Sequence, residues 1–107
     1  MADTSQAAAW PKQTALIRPL FPLGRVAATP GARSLFEALN TSLLEYLVRH
    51  VIGDWGELDA EDRQANDAAL VHGTRIVSSY FLQGEHRIWL ITEADRSATT
   101  FLLPEEY

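Results

Sequence analysis

Cysteine is missing from the 107 residues, which excludes a disulfide scaffold, a thiolate zinc site, an iron–sulfur cluster and a cysteine nucleophile. Long apolar runs are missing as well. Nothing approaches the roughly 18 consecutive apolar residues of a membrane span. The opening MADTSQAAAWPKQTALIRPLFPLG has no basic start running into an apolar stretch, so no secretory signal is read and a cytoplasmic location is expected. Base is in short supply: nine Lys and Arg stand against fourteen Asp and Glu. Without a run of Lys and Arg there is no counterion-release attraction, which argues against nucleic acid as a partner. The chain has no P-loop, GxGxxG, HExxH or GxSxG motif, and His72 and His86 lack a third ligand at metal-binding spacing. No cofactor, no metal ion and no catalytic set is therefore expected.

What is present suffices for one domain, since 47% of the residues are hydrophobic. The net charge of −5 is unevenly placed: residues 1–53 sum to +2, residues 54–67 to −5 and residues 68–107 to −2. Residues 1–22, broken by Pro11, Pro19 and Pro22, read as an irregular arm, and residues 23–107 as a single α+β domain. Trp10, Leu16, Ile17, Leu20 and Phe21 are too apolar for a solvated tail, so part of the arm is expected to lie across the domain or against a second copy.

Leu23 to Ala28 reads as a short strand. Thr29 can cap a helix whose first position is Pro30, where a missing N–H costs nothing. Ser42 with Glu45 has capping-box spacing for a second helix, Leu43 to about Ile52, with Leu43, Leu44, Leu47, Val48 and Val51 on its inner face. Gly53-Asp54-Trp55-Gly56 is a turn. Asp59 is placed as the N-cap of a third helix that ends at Gly73, with Ala65, Ala68, Ala69 and His72 inward. The pattern then changes to period two over 75–82, 87–93 and 98–103. The expected architecture is a strand, three helices, then a three-stranded antiparallel meander with the helices packed on one face.

A two-residue turn at Gly84-Glu85 would pair Phe81 with Ile88, Tyr80 with Trp89 and Val77 with Thr92. A four-residue turn at 94–97 would set Leu90 against Phe101 and Trp89 against Leu102. The core face then holds Val77, Phe81, Ile88, Leu90, Phe101 and Leu103. The second face holds Ile76, Ser78, Tyr80, Trp89, Ile91, Glu93, Thr100 and Leu102, and is too apolar to be left to water. The arm, a homodimer contact or a foreign protein partner would cover it.

Polar residues gather at element ends. His50 and Asp54, four apart, have the spacing of an acid–base pair, or of a histidine closing a helix beside a carboxylate that holds turn amides. In Thr92-Glu93-Ala94-Asp95-Arg96-Ser97, Arg96 could grip a phosphate or carboxylate, or pair with Glu93, Asp95 or the acidic stretch while Asp95 and Ser97 bond the turn. GRVAATPGA, RHVIGDWGELDAEDRQANDAAL and RIWLITEADRSATTFLLPEEY together resemble a family of small bacterial proteins encoded on plasmids, conjugative elements and genomic islands. The resemblance covers residues 23–107 and brings no catalytic assignment. It singles out Gly53, Asp54, Trp55, Gly56, Asn66, Gly73, Tyr80, Trp89, Glu93, Asp95, Arg96 and Ser97. The function expected is a non-enzymatic accessory protein of mobile elements that binds another protein, with Asp54, Trp55, Tyr80, Trp89, Glu93, Asp95, Arg96 and Ser97 as the binding candidates. The alternative is a small hydrolase or nuclease using His50, Asp54, Glu93 and Arg96.

Overall fold

Local capping chemistry sets the helices. In the computed structural model, which describes residues 18–107, the elements run β1 (Arg25–Ala28), α1 (Pro30–Ala38), α2 (Leu44–Val51), α3 (Ala60–His72), β2 (Ile76–Leu82), β3 (His86–Thr92), β4 (Ala98–Leu102) and a short 3-10 turn (Pro104–Glu106). Trp10, Leu16 and Ile17 of the arm lie outside the described residues. The Thr29 hydroxyl accepts from the Ala32 amide with Pro30 in the first turn, and Asp59 accepts from Asp62. Gly73 ends α3 at φ 71°, the left-handed position that favours glycine. At the start of α2 the expected box does not form: Leu43 is the N-cap with no side-chain bond, and Ser42 Oγ accepts from the Leu44 amide two positions on. Among the described residues no helix is long and apolar enough to cross a membrane.

The sheet has four strands in the order β1-β4-β3-β2 and is mixed, not a three-stranded meander alone. β1 lies parallel to β4, with the Arg25 amide donating to Ser97 and the Thr29 amide to Phe101. This pairing occupies an edge that the meander would leave open. It also depends on Gly24, where a Cβ would sit 2.4 Å from the Ser97 backbone.

The first hairpin differs from expectation by one residue. Leu82 opposes His86 across a three-residue loop, with positive φ at Gln83 (50°) and Gly84 (82°). Tyr80 therefore faces Ile88, not Trp89, and Phe81 faces Arg87. A shift of one residue sends every side chain of a strand to the opposite face. Ile76, Ser78, Tyr80 and Leu82 are buried, while Phe81 is exposed. The second hairpin pairs Leu90 with Phe101 and Trp89 with Leu102.

Two clusters fill the helix-covered side. Ala32, Phe36, Tyr46, Tyr80, Leu82, Ile88, Leu90 and Phe101 make the larger. Phe21, Trp55, Ala69 and Ile76 make the smaller, so the end of the arm enters the core on this side. The helix faces are rotated from those expected. Tyr46, His50 and Val51 are the buried residues of α2, with Leu44 exposed, and Asn66 and Ala69 are those of α3, with Ala65, Ala68 and His72 outward. The reason lies in the edge of β2: Asn66 donates to the Val77 carbonyl (2.7 Å) and accepts from the Val77 amide (3.1 Å), completing that edge as another strand would.

Candidate functional site

The GDWG turn is a joint between α2, α3 and β2. Asp54 accepts from Arg49 Nε (2.7 Å) and from the Gly56 amide (3.2 Å), and the bond from Arg49 draws its carboxyl below the usual carboxylate range. The Tyr80 hydroxyl donates to the Asp54 carbonyl (2.7 Å), and burial pushes its pKa up. Arg49 lies over the Tyr80 ring at 4.5 Å. Trp55 is buried beside Phe21 and donates to Asp67. Gly56 bridges to Ser79, and a Cβ there would lie 2.1 Å from the Ser79 oxygen.

His50 is fully buried on the helix-covered face, 28 and 42 positions in sequence from the hydroxyls it contacts. Nδ1 lies 2.6 Å from Ser78 Oγ and Nε2 lies 2.9 Å from Thr92 Oγ1. Thr99 donates to the Leu23 carbonyl, so the proton between Thr92 and Thr99 belongs to Thr92. Thr92 must then accept from Nε2–H, which leaves Nδ1 to accept from Ser78. One neutral tautomer satisfies every member of the chain. Burial holds the pKa of His50 down to about 3. It neither pairs with Asp54 nor closes α2 as a cation.

The EADRS loop is bound just as tightly. Arg96 occupies the left-handed region (φ 61°) and donates to the carbonyls of Thr74 (2.7 Å), Glu93 (3.0 Å), Ala94 (3.2 Å) and Ala69 (3.0 Å). It thus serves backbone carbonyls just past α3 and in its own loop instead of a carboxylate, and is a second donor to Ala69 beside the Gly73 amide. Asp95 accepts from the Ser97 amide (2.9 Å), and bonds from Ser97 lower its pKa. Glu93 is exposed. Of the four residues of the hydrolase alternative, Glu93 and Arg96 share the EADRS loop, where the guanidinium meets the Glu93 carbonyl, and among the described residues no hydrogen bond joins the side chains of His50, Asp54, Glu93 and Arg96 to one another. No group of three potential metal ligands occurs among the described residues either.

The C-terminal segment closes another joint. Glu106 accepts from the Thr29 hydroxyl (2.5 Å), the Gly31 amide (3.1 Å) and the Leu103 amide (2.9 Å), and the bond from Thr29 lowers its pKa. A Cβ on Gly31 would lie 2.5 Å from the Glu106 carboxylate, which explains the glycine in TPGA.

Trp89 stands apart from these joints. It is half-buried on the opposite sheet face, edge-on to the exposed Tyr107 (5.6 Å), and Arg75 lies over the Tyr107 ring at 5.3 Å. Arg87 lies over the exposed Phe81 at 4.3 Å and donates to Ser79. Among the described residues no carboxylate pairs with Arg75 or Arg87. A groove of about 600 Å³ runs between this face and α3, with Glu57, Asp59 and Asp62 along one wall and Arg75, Arg87 and Trp89 along the other. The one base of the acidic stretch, Arg63, is spent on the carbonyls of Leu58 and Gly56. The sequence points to Trp89, and to Tyr107 packing back on the sheet, but not to Arg75, Arg87 and Phe81 on the same face; the odd-numbered alternation 75, 77, 79, 81 was the available signal. Comparison with family models, curated proteins and solved structures returns no match.

Proposed function

We propose that this chain is a non-enzymatic protein-binding module whose contact surface is the sheet face around Trp89. The resemblance to proteins of plasmids and conjugative elements supports a role as a cytoplasmic accessory of such elements, acting on a host defence system. One observation carries the binding reading. Of the binding candidates, Asp54, Trp55, Tyr80, Asp95, Arg96 and Ser97 are occupied in holding helices and loops to the sheet. Trp89 instead sits among Tyr107, Arg75, Arg87 and Phe81. Trp, Tyr and Arg are the residue types that carry most binding energy at protein interfaces.

Affinity capture from host cells expressing the tagged chain tests this reading. The wild type should retain a partner that Trp89→Ala loses, while Val71→Ser, on the outer side of α3, retains it. Equal capture by all three would overturn the proposal.

A further inference from the structure

The walls of the groove differ in charge, and that difference selects an occupant. Glu57, Asp59 and Asp62 form one flank, beyond the β2 edge; Arg75 and Arg87 form the other, on the sheet itself, together with Val77 and Trp89. Both guanidiniums are held in place, one over Tyr107 and the other over Phe81. A two-fold contact brings each surface patch against its own rotated image. When the axis runs along the boundary between an acidic and a basic flank, each acidic flank meets the basic flank of the other copy. Such a face is complementary to itself, whereas a uniformly charged face would repel its image.

Resting on the reading of this face as a protein contact, we infer that its occupant is a second copy of this chain. The two copies pack at the β2 side of the groove, with Val77 nearest the axis and Trp89 behind it, and make reciprocal ion pairs from Arg75 and Arg87 to Glu57 and Asp62. Asp59 is left out of the pairing because its carboxylate caps α3.

The experiment is sedimentation equilibrium on the full chain, with two charge-reversed double variants. The wild type should show twice the chain mass. Arg75→Glu/Arg87→Glu and Glu57→Arg/Asp62→Arg should each weaken self-association by about a hundredfold, because every reciprocal pair becomes a like-charge contact. Mixed together they should recover a dimer of one copy each, since every pair is again opposite in sign; that recovery also shows that both variants fold. A wild type of single-chain mass at millimolar concentration overturns the second-copy inference. If capture from cells still depends on Trp89 in that case, the occupant is a foreign protein and the binding reading survives; if it does not, both fall. A wild-type dimer that both variants retain places the contact on another face and overturns the inference as well.

Discussion

The two faces of the sheet solve opposite problems with similar residues. On the helix-covered face, His50, Ser78, Thr92 and Thr99 are buried, and each finds a partner within that chain, so polar atoms are sealed without charge. On the other face, the guanidiniums of Arg75 and Arg87 rest on the exposed rings of Tyr107 and Phe81. A satisfied buried network fixes one arrangement of the elements around it. Cations that rest on aromatic rings, with no carboxylate partner among the described residues, leave binding capacity unspent. The contrast separates residues that hold the fold from residues available to a partner, and it places most of the recognisable motifs in the first group.

The sharpest way to break this contrast is at Gly56. Gly56→Ala would set a methyl against the Ser79 carbonyl and the Tyr80 ring, and should cost on the order of 5 kcal/mol in urea unfolding. Gly73→Ala, with a similar φ but open space around it, should cost only about 1 kcal/mol. Equal losses would mean that backbone conformation, not the close approach of GDWG to β2, sets the cost.

Acid titration probes the sealed face next. The folded-state pKa of His50, about 3, lies below its ordinary value of 6.5. The unfolded chain thus takes up a proton that the folded chain refuses. The His50 contribution is whole above about pH 6.5, declines as pH falls toward about 3 and is level below that, a loss on the order of 5 kcal/mol. The His50→Gln variant has no proton to gain and should show a flatter profile across this window. Parallel profiles would rule out a neutral buried histidine.

Arg96→Met should cost about 2 kcal/mol, because it takes the side-chain donor from the carbonyls of Thr74 and Ala94 and the second donor from those of Ala69 and Glu93. Its fold intact, the variant should still bind as the wild type does; a specific loss of binding would move Arg96 to the functional side of the comparison. The smallest expected effect on stability is that of Arg75→Glu, within about 0.5 kcal/mol by thermal unfolding. A large loss there would show that the second face also holds the fold together.

Helix boundaries were legible because capping is local: Thr29 bonds Ala32, Asp59 bonds Asp62 and Gly73 stops α3, all within a turn of the chain. The second hairpin was legible from its turn length. The first was not, because its glycine permits either of two loops and the serines at 78 and 79 hide which side is apolar. Ser78 reads as a solvated residue until His50 is known to meet it. The sequence assigns Tyr80 to the second face and leaves Phe81 out of it, whereas the register buries Tyr80 under the helices and exposes Phe81.

Taken alone, the order of amino acids determined where helices begin and end, that three β-rich segments close the chain, and that acid concentrates at 54–67. Those features depend on neighbours a few positions apart. Tertiary structure decided that β1 joins β4, that His50 is neutral, that Arg96 serves carbonyls, and that Arg75 and Arg87 share a face with Trp89. Each of these depends on groups brought together across the chain, and a single residue of strand register is enough to exchange the helix-covered side for the other.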